Sequence, residues 1–147
     1  MSNLTPPKWL KPMNKVVIAI HKLGVVTGPV RVLTITGRSS GQPRSTPATP
    51  FPVGDALYVV GGLPGAHWVL NARAAGRGTV TRGRTSQPVR FVELSADQAR
   101  QVLRAFPVKV PRGVGFFKRS GLVHDGTPEE FEALAGRSAV FRLDPIT

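Results

Sequence analysis

Residues 30–51 read VRVLTITGRSSGQPRSTPATPF. Val30 to Thr36 alternates and is rich in β-branched side chains, which predicts a strand. A second strand runs from Arg44 to Phe51. Pro47 and Pro50 confine it to a sheet edge or a bulge, because proline cannot donate to a ladder. Between them, TGRSSGQPR (Thr36–Arg44) is either a plain hairpin turn or a loop that cradles an anion. Arg38 and Arg44 stand at its two ends, with Ser39, Ser40 and the N–H groups near Gly41 between them. It is not a Walker loop, since the G-K-[ST] ending is missing.

Outward from this hairpin, strands are predicted at Ala56–Val60 (read as buried on both faces), Thr79–Arg82, Pro88–Leu94 and Ser138–Leu143. A short helix fits His67–Ala75. The capping box at Ser95–Gln98 opens a second helix that ends near Phe106, and Thr127-Pro128-Glu129-Glu130 opens a third. Residues 107–126, rich in Gly, Pro and bases, read as a long irregular segment. Upstream, Trp9, Met13, Val16, Val17 and Ile20 share one face of a helix over residues 8–23. Its four lysines lie mostly off that face, so it either covers a core or touches an anionic membrane. The order is α+β with a mostly antiparallel sheet or small barrel. Residues 1–29 form a basic amphipathic segment, and residues 30–147 a single domain.

The chain has 147 residues, a net charge of +12 and no cysteine, so disulfides, thiolate catalysis and cysteine metal sites are all excluded. No signal-peptide pattern or bilayer-length apolar run appears, and the expected compartment is the cytoplasm. Residues 31–90 carry eight Arg against Asp55 alone, a field suited to anionic partners. His21, His67 and His124 lack ligand spacing, so no metal is expected. No G-x-S-x-G elbow and no central carboxylate pair are present. With so few acids, bases and nucleophiles, reactivity is expected from a cofactor.

VRVLTITGRSSGQPRSTP, followed by DALYVVGG and HWVLNARAAGRGTV, resembles the deazaflavin-dependent nitroreductase family. These are actinobacterial reductases that use coenzyme F-420 on a split, FMN-binding-like β-barrel with flanking helices. The resemblance covers about residues 30–147, and its most specific part is the pairing of G-R-x-[ST]-G-x-x-R with W-x-x-N. It implies that Arg38, Ser39, Ser40, Gly41, Gln42 and Arg44 line the anion site. Thr46, Pro47 and Ala48 would run beside the deazaflavin ring. Trp68 and Asn71 would hold the coenzyme from the other side, under a covering loop at Gly62–Ala66. The implied reaction is hydride transfer from the reduced deazaflavin to a small electron-poor acceptor: a quinone, an activated alkene or a nitro compound. Tyr58 and His67 are candidate proton donors.

Three positions depart from the family pattern. Ser39 stands where many members carry Lys. Ala66-His67-Trp68-Val69-Leu70-Asn71-Ala72 replaces P-x-W-Y-x-N-L. Tyrosines expected after the Ser95 helix are missing, and that segment offers Phe106, Phe116 and Phe117 instead. Alternatives are the same fold holding FMN, or an F-420 carrier with little turnover. A basic nucleic-acid module would explain the charge, but stacking aromatics are scarce and no helix-turn-helix or finger pattern exists, so no nucleic acid is expected. Monomer and homodimer both fit the family.

Overall fold

Among the described residues seven strands build the sheet: β1 (Arg31–Thr36), β2 (Pro43–Ala48), β3 (Phe51–Val53), β4 (Ala56–Val60), β5 (Arg77–Arg82), β6 (Thr85–Glu93) and β7 (Val140–Pro145). The computed structural model describes residues 29–147. The predicted helix over residues 8–23, with its membrane contact, lies outside them. All pairings are antiparallel, in the order β2-β1-β5-β6-β7-β4-β3.

The predicted Arg44–Phe51 strand is observed as two pieces. β2 pairs with β1, and β3 pairs with β4, at opposite ends of the strand order. Only Thr49 and Pro50 connect them, so Ala48 and Phe51 are at most about 11 Å apart along the chain. The two edges of the sheet must therefore approach each other, and the sheet curls into a half-barrel. A strand that bends from one half of a sheet to the other is a common way to turn such a corner. The expected α+β split barrel is the observed fold.

The prolines specify which way β2 faces. Pro43 and Pro47 sit opposite Thr36 and Val32 and have no N–H to give. The ladder to β1 must then use the alternate residues, Arg44 and Thr46. Thr34 and Ser45 consequently form a close, non-hydrogen-bonded pair, and their hydroxyls meet at 2.9 Å. The open edge of β2 keeps the Ser45 N–H and the carbonyls of Pro43, Ser45 and Pro47.

Inside the curl, Leu33, Ile35, Val59, Phe91, Phe141 and Leu143 pack with Val69 and Ala72 of α1 (His67–Ala75). A second core lies between the sheet and a helical layer: α2 (Ala96–Lys109), a 3-10 turn (Pro111–Gly113), α3 (Val114–Arg119) and α4 (Pro128–Glu132). Phe106 meets Phe51, Phe117 and Phe131 there, with ring centroids 5.5, 5.0 and 5.2 Å apart. Both capping boxes are present, Ser95 with Gln98 and Thr127 with Glu130.

Two expectations are corrected. Residues 107–126 are largely helical, and α2 runs through Pro107 to Lys109. Proline removes one helical hydrogen bond, but Phe106 and Val110 are buried on either side of it. The Val110 N–H also closes onto the Phe106 carbonyl at 2.7 Å. In β4 only Val59 is buried. Leu57 is 37% exposed. No helix among the described residues is long and apolar enough to cross a membrane.

Glu130 holds the turn before α4. Its carboxylate accepts from the N–H groups of His124, Asp125, Gly126 and Thr127 at 2.6 to 3.2 Å. Those donors, led by His124, hold its pKa well below the ordinary 4.5, at about 2. A depressed carboxylate contributes stability in full above its unfolded pKa and loses it as pH falls toward the folded value. Glu130→Gln should therefore lower the urea midpoint at pH 7, and the gap to the parent should close between about pH 4.5 and 2. A gap that stayed constant through that window would show that the charge contributes nothing.

Candidate functional site

The β1–β2 connection is a six-residue loop with its own closure. Gly37 N–H donates to the Gln42 carbonyl at 2.8 Å, and Gly41 N–H to the Gly37 carbonyl at 2.9 Å. Gly41 takes φ +71°, which glycine adopts without strain. Gly37 is needed for a different reason: a Cβ there would sit 2.7 Å from Ser40 Oγ. Ser40 Oγ in turn accepts from the Gln42 N–H at 3.1 Å. The connection is therefore a self-closed turn, with the Ser40 hydroxyl folded in to cap it.

This loop is fastened to α1. Asn71 Oδ1 accepts from the Arg38 backbone N–H at 3.1 Å and from Arg38 Nη1 at 2.8 Å. Arg38 Nη2 lies 3.3 Å from His67 Nδ1. A guanidinium only donates, so His67 Nδ1 accepts in that contact. The two blocks paired in the sequence, G-R-x-[ST] and W-x-x-N, are joined here by direct hydrogen bonds.

A cavity of about 820 Å³ opens beside this junction. Arg38, Ser39, Ser40 and Arg44 line one end, and Thr46, Pro47 and Ala48 run along its side. Trp68, Asn71 and His67 face it from α1, and Gly62, Leu63 and Ala66 of the covering loop close it. Among the residues expected around the coenzyme, Gly41 and Gln42 stay outside the wall and shape the loop. Tyr58 is not in the wall either. It is half-buried against the helical core and paired across strands with Arg142 and Phe51.

The polar end is built from donors. Asn71 is 5% exposed, and Arg38 occupies its carbonyl oxygen, so its Nδ2 is oriented away from Arg38. That amide has no partner among the described residues. Buried polar groups without a partner are rare and call for an explanation. The N-terminus of α1 adds to it: Ala66 provides no side-chain cap, the first turn has no acid, and the N–H groups of His67 and Trp68 have no acceptor among the described residues. An uncapped helix start is an anion-binding element.

All eight acidic residues lie elsewhere. Glu93 pairs with Arg73, Asp97 with Arg100, Glu129 and Glu132 with Arg104, and Asp144 with Arg142. The Arg142 pair also holds the Asp144 carboxyl below its ordinary range. Arg44 has no ion pair among the described residues.

The other end of the cavity is aromatic. Phe106 and Val110 of α2, Gly113 of the 3-10 turn, and Phe116 and Phe117 of α3 form it. Sequence reading noted the phenylalanines but missed Val110 and Gly113, which lay in the segment read as irregular. Ser138 was missed too. Its buried hydroxyl donates to the Gly62 carbonyl at 2.7 Å and pins the covering loop to the start of β7. Nothing local in the sequence marks that contact.

The family described as F420H(2)-dependent quinone reductase matches residues 15–116. Three solved structures show the fold. One, described as a domain-swapped dimer, is 18% identical with a TM-score of 0.58, covering 95% of this chain and 100% of that one. An F420-H2 dependent reductase is 17% identical with a TM-score of 0.55, covering 80% and 95%. A FAD-binding protein from Mesorhizobium loti is 18% identical with a TM-score of 0.53, covering 88% and 89%. No curated protein matches the chain. With more than two thirds of its length matched, the chain belongs to the F420H(2)-dependent quinone reductase family, oxidoreductases that move a hydride from reduced coenzyme F-420 to an acceptor.

Proposed function

We propose that the cavity is where reduced coenzyme F-420 and a quinone meet. The observation that carries this reading is the Asn71 amide, a buried donor with no partner among the described residues. It stands beside an uncapped helix start in a wall with two arginines and no carboxylate. Such a donor set fits phosphate and carboxylate oxygens, which only accept. Arg38, Ser39, Ser40 and Arg44 would hold the anionic side of the coenzyme, with Gly41 and Gln42 shaping the loop beneath them. The strongly anionic tail of F-420 suits this end better than the single phosphate of FMN does. Thr46, Pro47 and Ala48 would flank the ring.

When bound, the reduced deazaflavin supplies a hydride. The chain's own residues bind, orient and exclude water. Phe106, Val110, Phe116 and Phe117 offer the acceptor an apolar surface without a protic side chain. That favours a quinone, whose two-electron reduced form is a stable anion that takes its remaining proton from water. An alkene or nitro acceptor would benefit from a positioned donor, and Tyr58 is not in the cavity wall. His67 is spent differently, as a support for Arg38.

Titration of the purified chain with F-420, FMN and a random DNA duplex tests this reading. Tight binding of F-420 alone supports it, and tight binding of FMN or DNA without F-420 overturns it. Arg44→Ala should weaken F-420 binding more at low salt than at high salt, as expected for a partly exposed ionic contact. Equal affinities at both salts would make Arg44 a bystander.

A further inference from the structure

The aromatic end of the cavity is held between two glycines. A Cβ on Gly62, whose φ is +68°, would meet Phe116 Cε2 at 3.4 Å and Phe117 Cζ at 3.6 Å. Opposite, a Cβ on Gly113 would sit 2.8 Å from Phe106 Cζ and 3.1 Å from Val110 Cγ1. The two positions differ in kind. Gly62 has a backbone that favours glycine whatever surrounds it. Gly113 has φ −77° and ψ −19°, an ordinary helical conformation that alanine adopts freely. Gly113 is therefore glycine because of space alone.

This tight contact borders the cavity, since Gly113, Val110 and Phe106 all line it. Phe106 cannot yield easily. It is 5% exposed and backed by Phe51, Phe117 and Phe131. A methyl group at position 113 would press on the tip of that ring. The relief available is a shift of the 3-10 turn and of α3, which carries Phe116 and Phe117 at the same end.

We propose that Gly113, through its contact with the Phe106 ring, sets the size of acceptor that the aromatic end admits. This rests on the reading of that end as the acceptor subsite. Gly113 acts here as a specificity-determining residue: it leaves room for a fused, alkylated, uncharged ring and has no part in holding the coenzyme. A single methyl or methylene in an apolar pocket changes discrimination by roughly 10- to 200-fold.

The test compares 1,4-benzoquinone with 2-methyl-1,4-naphthoquinone on parent, Gly113→Ala, Phe106→Leu and the double variant. Turnover with reduced F-420 and quinone binding, read from quenching of tryptophan emission, are both measured. Gly113→Ala should lower kcat/KM and affinity for the naphthoquinone by about tenfold or more, with benzoquinone and the KM for F-420 little changed. Phe106→Leu, by shortening the opposing ring, should restore the naphthoquinone in the double variant. An equal loss for both quinones in Gly113→Ala, or no recovery in the double variant, overturns the proposal. If Gly113→Ala fails to fold, Phe106→Leu alone must shift the preference toward the naphthoquinone, and an unchanged ratio overturns it. Parent protein that binds both quinones but reduces neither would contradict the reaction proposed above, while the binding ratio would still decide the role of Gly113.

Discussion

Asn71→Asp is expected to weaken F-420 binding by about 100-fold or more while leaving the fold intact, because a like charge facing an anion costs several kcal/mol. Aspartate keeps an acceptor for the Arg38 backbone N–H and Nη1, now 3.1 and 2.8 Å from Asn71 Oδ1. The fastening between loop and helix should therefore survive, with a charge-assisted bond replacing a neutral acceptor. What changes is the other half of the side chain, where a donor becomes a negative oxygen. Asn71→Leu makes the contrasting case: it removes the Asn71 acceptor, leaves Arg38 only its His67 contacts, and should lower both affinity and melting temperature. Isothermal titration and a thermal melt on each variant separate the two outcomes. An aspartate variant that binds F-420 as tightly as the parent would mean that Asn71 ties the loop and meets no anion.

The largest stability loss is expected at Phe131. It is fully buried and lies 5.2 Å from the Phe106 ring and 4.9 Å from Phe117. Truncating a buried phenylalanine costs about 3–5 kcal/mol, from lost transfer energy and the cavity left behind. For a domain of this size the melting temperature should fall by roughly 10 °C. The same substitution removes the backing of two rings that line the aromatic end of the cavity. At a temperature where the variant is still folded, acceptor affinity should therefore drop while F-420 affinity holds. A fall of only a degree or two would mean that neighbouring rings refill the space.

Legibility in the sequence followed the range of the interaction. The strands, the capping boxes and the α1 helix depend on residues a few places apart, and their patterns were readable. The contact between TGRSSGQPR and Asn71 spans 33 positions; the family resemblance paired the two blocks but set Asn71 across the coenzyme from the loop, so the direct hydrogen bonds were not foreseen. Residues 107–126 misled. Pro107, Pro111, Gly113 and Gly115 each argue locally against a helix, but the burial of Phe106, Val110 and Phe117 outweighs them. Val110 and Gly113 were lost to the site for the same reason. Tyr58 was a candidate donor by chemistry alone, and strand register takes it to the helical side. Ser138 stands 76 positions from the carbonyl it holds, with no motif to announce it.

The bend at Thr49–Pro50 has a consequence for motion. The strand that closes the barrel is the same one that forms the cavity's side wall, so breathing of the seam and release of a ligand share one coordinate. Amide protons of Arg44 and Thr46, bonded toward β1, should exchange at a rate set by how often β2 parts from β1, a motion that opening of the seam allows. A bound coenzyme stabilises the closed form by mass action and should slow exchange at these two amides. Amides at the centre of β6 and β7, far from the seam, should be slowed much less. Hydrogen exchange along a single six-residue strand would then act as a clock for coenzyme residence.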